Sequence, residues 1–253
     1  MKTIPLSSRR YRAFTLIELL VVIAIIAILA ALLLPALEAA KTEAMKREAQ
    51  VQMSGIVTAI QKYNSDYSHF PVSSGVQSAA GGDEFTYGGP VLAPYTPSPI
   101  PASFTTNNSE VIAILMDMTN YPDGSGPTAN ANYQKNPRQN VYLNATMVTA
   151  TNLPGVGPDL VYRDPWGNPY IITMDLDEDN QTKDAFYSLS AVSGPNGGNS
   201  NPGLNGLIDA DGSLNNFQYH GNVMVWSAGP DGKIDPTQPA NQGVNKDNIL
   251  SWQ

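Results

Sequence analysis

Asp231, Asp235, Asp247 and Asn248 fall on one C-terminal stretch, between an apolar run and the end of the chain. Flexible carboxylates, an amide and neighbouring backbone carbonyls are the hard oxygen donors that Ca²⁺ takes, six to eight at a time. No His or Cys lies near them, which disfavours zinc and copper. Taken by themselves, these residues read more readily as a solvated acidic turn with Asx caps. Asp175, Asp177 and Asp179 have the spacing of the opening of an EF-hand loop. Asn180 replaces that loop's Gly, however, and Phe186 stands where its bidentate Glu belongs, so a hairpin turn is expected. Asp209-Ala210-Asp211-Gly212 reads as another turn. The remaining chemically loaded residue is Glu18, a single carboxylate near the start of an apolar run that continues from Leu19 to Leu34. A charge at membrane depth costs roughly 2.5–3.5 kcal/mol on insertion scales, so such a Glu points to function. Enzyme signatures are missing: the sequence has no Gly-x-Ser-x-Gly, Walker loop, His-Glu-x-x-His or dinucleotide glycine fingerprint. His69 and His220 lack any recognisable partner spacing, and His69 reads as a helix-end cap.

Phe14–Leu37 is long enough to span a bilayer as a helix, which takes about 20 residues. Lys2, Arg9, Arg10 and Arg12 precede it without an acid, and that flank is expected to stay cytoplasmic. A secretory signal peptide cut after Ala36, Ala39 or Ala40 is one alternative, but its apolar region would be too long and would contain a Glu. A plain signal anchor is the other. Beyond the leader, ten Lys plus Arg face twenty-two Asp plus Glu, a net charge of about −12. Such a balance argues against a nucleic-acid-binding surface, which shows a basic patch. The chain has no Cys, so no disulfide holds its loops.

The helix is expected to continue past Lys41, Glu43, Lys46, Arg47 and Glu48. Met53, Ile56, Val57, Ile60, Tyr63 and Tyr67 then recur at three- and four-residue steps, a stripe that needs a sheet to cover it. Pro71 closes the pattern, and Pro35 predicts a kink or a locally melted turn. Residues 72 to about 158 carry Gly- and Pro-rich turn signals and read as an enlarged connection. Within it, Asn108-Ser109-Glu110 opens a short capped helix, and Val141-Tyr142-Leu143 is a candidate strand. Further on, Tyr170–Met174 reads as a strand, 175–180 as a turn, Ala185–Ser190 as the returning partner and Asn222–Ser227 as a third strand. Helix first and hairpins afterwards predict an α+β roll, a long N-terminal helix packed on a C-terminal antiparallel sheet.

Arg12-Ala13-Phe14-Thr15-Leu16-Ile17-Glu18-Leu19-Leu20 resembles the N-terminus of type IV pilins and type II secretion pseudopilins. The resemblance implies a leader, residues 1–13, cut between Ala13 and Phe14 by a prepilin peptidase that also methylates the new N-terminal Phe14. Ala13 departs from the Gly usual before the cut. Glu18 becomes the fifth mature residue, where the family has its assembly Glu, and Pro35 the twenty-second, where many members have a helix-kinking Pro. The resemblance also implies a membrane and filament-core helix over 14–37 and an exported pilin-like domain over 38–253, with the enlarged region at about 72–158.

Asp164-Pro165-Trp166-Gly167-Asn168-Pro169-Tyr170, Asp66–Pro71 and the tail Ser227-Ala228-Gly229-Pro230-Asp231-Gly232 with Asp247–Trp252 are similar to the type II secretion major pseudopilin, protein G of the general secretion pathway. That likeness favours a structural Ca²⁺ at Asp231, Asp235, Asp247 and Asn248. Two departures stand out: the enlarged middle, and Ile234–Pro239 in place of a glycine-rich acidic stretch. The implied function is a non-enzymatic subunit of a helical homo-oligomeric filament that drives protein export. Its implied setting is the inner membrane, crossed once, with the C-terminal domain and the filament in the periplasm. Its partners would be other pseudopilins and an inner-membrane assembly platform, with no nucleic acid. A surface pilus subunit for adhesion, motility or DNA uptake, or an anchored periplasmic domain that never polymerises, are the alternatives.

Overall fold

The computed structural model describes residues 14–96, 98–195, 202–209 and 211–253. The leader, Ala13 included, lies outside them. Two compact units divide the chain, Met1–Ala44 and Met45–Gln253.

Helix α1 (Leu16–Tyr67) begins and ends close to where the sequence pattern places it. It passes Pro35 as continuous α-helix, so of the kink or locally melted turn expected there, the melted turn does not form. A proline removes one helical hydrogen bond, and the helical turns on both sides remain intact. In the first unit the apolar side chains are exposed: Leu16 at 81%, Leu32 at 70% and Leu37 at 67%. This part of α1 is long and apolar enough to cross a membrane. In the second unit the helix turns amphipathic, and Ala49, Met53, Ile56, Ala59, Ile60 and Tyr63 are buried. Each fully buried Ile or Met contributes about 1.5–3 kcal/mol, so this stripe anchors α1 to the domain.

The second unit continues with α2 (Ser74–Ala80), β1 (Phe85–Tyr87), α3 (Gly89–Leu92) and α4 (Ser109–Leu115). Then come β2 (Gly155–Val156), β3 (Tyr162–Arg163), β4 (Ile171–Met174), β5 (Gln181–Thr182) and α5 (Ser190–Ser193). Last are β6 (Ile208–Asp209), β7 (Phe217–His220), β8 (Val223–Ser227) and β9 (Ile249–Leu250). The principal sheet is antiparallel, in the order β1-β4-β8-β9. Strand alternation assigns its two faces. Ile172, Met174, Val223 and Val225 share one core with the α1 stripe. Ile171, Met224, Trp226 and Leu250 share a second core with Phe186, Tyr187 and Phe217. The sheet is therefore covered on both sides, within an α+β pilin-like roll.

Three further sequence expectations, in the domain's sheet and middle region, need correction. Ala185–Ser190 is not the partner of β4; Ala185–Ser188 form turns, Ser190 opens α5, and β4 pairs with β1 and β8. The cause is Asp184, fully buried, whose carboxylate accepts from the backbone N–H groups of Phe186 and Tyr187, both at 2.9 Å, and so withdraws them from a ladder. The same carboxylate accepts from Thr173 Oγ1 at 2.6 Å and Trp226 Nε1 at 3.0 Å. Val141–Leu143 is not a strand, because the N–H groups of Tyr142 and Leu143 both converge on the carbonyl of Leu115. The 72–158 region is more than a connection. It contributes β1 to the principal sheet and α4, whose Val111–Leu115 are all buried, to the core.

Candidate functional site

At the start of α1, Thr15 and Glu18 satisfy each other. The Glu18 carboxylate accepts from the Thr15 backbone N–H at 2.9 Å and from Thr15 Oγ1 at 2.7 Å. Glu18 N–H donates back to Thr15 Oγ1 at 3.3 Å. This is a capping box, which satisfies donors at a helix terminus that otherwise have no partner. The Thr-x-x-Glu spacing was readable in the sequence, where the membrane context drew attention to the charge alone. Phe14, just ahead, is 75% exposed. Glu18 thus closes the first turn of α1, next to Phe14 and Thr15. Pro35 lies further along the same unit, inside α1.

The C-terminal acids lie on the loop between β8 and β9, and the Asp164–Tyr170 turn holds that loop. Asp164 is fully buried. It accepts from the N–H groups of Trp166 (2.9 Å) and Asn168 (2.8 Å) and from Ser227 Oγ (2.6 Å). Burial raises its pKa, against those hydrogen bonds, which lower it. Ser227 Oγ accepts from Gly229 N–H at 3.0 Å, and Asn168 Nδ2 donates to the Gly229 carbonyl at 3.0 Å. Gly229 has φ +69°, and a Cβ there would stand 2.3 Å from the Asp247 carbonyl oxygen. Only glycine allows this approach.

Along the loop the four predicted ligands differ in their partners. Asp231 Oδ1 accepts from Lys233 N–H at 2.9 Å. The Asp235 carboxylate is occupied by Thr237 N–H (2.9 Å), Thr237 Oγ1 (2.6 Å) and Gln238 Nε2 (2.6 Å), and the Thr237 bonds lower its pKa. Asn245, which the sequence reading passed over, is buried and ties the loop. Its Oδ1 accepts from Asp235 N–H, and its Nδ2 donates to the carbonyls of Asp235 and Gln238. Asp247 Oδ1 is buried and has no hydrogen-bond partner among the described residues. Burial raises its pKa, and the negative charge of Asp231 adds to the rise. Asn248 Nδ2 donates to the Tyr187 hydroxyl at 3.0 Å, while its Oδ1 is likewise buried without a partner. Two consecutive side chains therefore present orphaned buried oxygens, with a second carboxylate near enough to repel the first. That donor set suits a hard cation.

The other acidic group is more compact. The carboxylates of Asp175, Asp177 and Asp179 lie within 4.8 Å of one another. Asp175 is buried and accepts from the N–H groups of Glu178 and Asn180, both at 2.8 Å. Its pKa is pushed up to about 6, by burial first and then by the hydrogen bond it makes to Asp177 in its protonated form. The carboxylate in the first EF-hand position is thus engaged in building a turn whose Glu178 and Asn180 take left-handed φ.

A pilin-like roll behind a long apolar N-terminal helix is the class that this fold defines. Comparison adds that residues 8–34 match the family model of the prokaryotic N-terminal methylation motif. The chain therefore carries the processing motif of type IV pilin-like proteins. No curated protein and no solved structure matches it.

Proposed function

We propose that the chain is a subunit of a type II secretion pseudopilus. The observation that carries this reading is the methylation motif over residues 8–34, with Glu18 poised at the first turn of an apolar helix. In this reading a prepilin peptidase cuts between Ala13 and Phe14 and methylates Phe14. The helix anchors the subunit in the inner membrane, with the domain in the periplasm. Assembly stacks the apolar halves of many helices into the filament centre by head-to-tail contacts, the arrangement that generates open helices. There the charge of Glu18 is tolerable only if paired. The α-amino group of Phe14 on a neighbouring subunit supplies the partner and sets the axial register. Assembly needs other pseudopilins and an inner-membrane platform, and no catalytic step belongs to this chain.

The secretion reading rather than a surface pilus is supported by the tail. The Asp164–Tyr170 turn clamps Ser227-Ala228-Gly229-Pro230-Asp231-Gly232, the two segments that resemble the major pseudopilin. A structural Ca²⁺ would be held by Asp247 and Asn248 with Asp231, and Asp235 would shape the loop around it. The ion would supply the partner that the orphaned Asp247 and Asn248 oxygens otherwise lack. Glu18→Ala tests assembly: the variant inserts into the membrane at least as well as wild type and yields few or no filaments by electron microscopy of overexpressing cells. Normal filament numbers would overturn the charge-pair reading. Loss of exoprotein release on deletion of the gene distinguishes secretion from a surface pilus.

A further inference from the structure

Beyond the C-terminal end of α1 lies a cavity of about 380 Å³, within the size range of small-ligand sites. Val72 and Leu176 give it an apolar surface, and His69, Gln77, Lys135 and Glu178 give it polar groups. The backbone on both charged sides is fixed. Tyr63 Oη donates to the carbonyl of Lys135, and Asn130 Oδ1 accepts from its N–H at 3.3 Å. Glu178 N–H donates to Asp175 Oδ1, with φ +61° at Glu178. The His69 ring is held by Nδ1 at 3.0 Å from the Phe70 carbonyl and by stacking on Tyr67 at 5.9 Å. If Nδ1 donates there, Nε2 is an acceptor. Lys135 and Glu178 both line this cavity, and neither side chain has an ion-pair partner among the described residues. The last turn of α1 carries no basic residue of its own, although Arg138 reaches Asp66 at 3.6 Å, and its carbonyl end next to Ser68 and His69 favours a cation.

Charge complementarity selects the ligand. An apolar guest would desolvate polar groups without pairing them. A simple anion would meet Glu178, and a simple cation would meet Lys135. A molecule carrying both charges pairs both. We propose that this cavity binds a small zwitterion of the free α-amino-acid class, with its carboxylate on Lys135 and its ammonium on Glu178 and the carbonyl end of α1. His69 and Gln77 would read the polar part of its side chain. This inference does not depend on filament assembly.

The test uses the full chain in detergent, titrated with each of the common L-amino acids and followed by saturation-transfer NMR and calorimetry. Propionate, propylammonium and glycerol serve as the single-charge and neutral comparators. At least one amino acid binds saturably with a Kd of about 1 mM or tighter, and the comparators bind more weakly. Lys135→Gln and Glu178→Gln each weaken binding about three- to fivefold, the scale of an exposed charge pair, with the melting temperature unchanged. Because the two substitutions lie on different segments, either one suffices if the other misfolds. The proposal is overturned if no amino acid saturates, if propionate or glycerol binds as tightly as the amino acid, or if both variants bind like wild type.

Discussion

Removing calcium should loosen the tail, and the structure sets the size of the effect. Asp247 Oδ1 and Asn248 Oδ1 are buried without hydrogen-bond partners, and each such group costs about 1–3 kcal/mol. Calcium at a hundred times its Kd stabilises by about 2.7 kcal/mol. In a unit the size of Met45–Gln253 each kcal/mol shifts Tm by about 2–4 °C. The full chain in detergent should therefore melt about 5–11 °C lower in chelator than in millimolar calcium, by scanning calorimetry. Asp247→Asn adds a signature of sign. It removes a charge that burial and Asp231 both penalise, so in chelator this variant melts at or above wild type, and calcium no longer raises its Tm. The folded pKa of Asp247 is raised, so in chelator its stabilising contribution is full below the ordinary carboxylate range. That contribution is lost as pH rises through the folded value. Calcium, which takes the ionised form, cancels that loss. Asp177→Asn leaves the response intact. Equal melting in calcium and chelator, or loss of the response in Asp177→Asn rather than Asp247→Asn, would refute the ion-binding tail.

Glu84 has its pKa pushed up to about 8, by burial first, then by the hydrogen bond with Asp83, with the charges of Asp83 and Asp177 adding. A raised folded pKa means stability that falls as pH climbs from about 4.5 to 8. Glu84→Gln should flatten the Tm-versus-pH curve over that window, and an unchanged slope would contradict the assignment. Asp184→Ala strands two backbone N–H groups, a Thr hydroxyl and the Trp226 indole N–H. At about 1–3 kcal/mol each, the loss is at least about 4 kcal/mol, read as collapse of the near-ultraviolet Trp signal. A well-folded Asp184→Ala would show that this buried carboxylate is dispensable.

The sequence revealed elements wherever one strong period ran uninterrupted. The stripe from Met53 to Tyr67 was visible because burial on one helical face repeats every three to four residues, and α1 ends at Tyr67 as that stripe does. Strands β4 and β8 were visible as apolar runs between turn residues. What stayed hidden depends on single polar side chains acting at a distance. Ala185–Ser190 has strand composition, yet the Asp184 carboxylate claims its N–H groups. Asn108 looked like the side-chain cap of α4, but it reaches across to Tyr162 and Tyr170. Strand β1 is three residues long and wholly buried, too short for any period to show. In the candidate site the acids were readable one by one. Which of them the loop spends on its own turns, as Asp235 is spent on Thr237 and Gln238, follows from the fold.

The N-terminus of the chain in cells decides the central claim. Intact-mass measurement and N-terminal sequencing of protein extracted from membranes should find Phe14 first, carrying one added methyl group on its α-amine, as the proposed processing predicts. A mature chain beginning after Ala40, or one that keeps residues 1–13, would contradict the reading of this protein as a processed filament subunit.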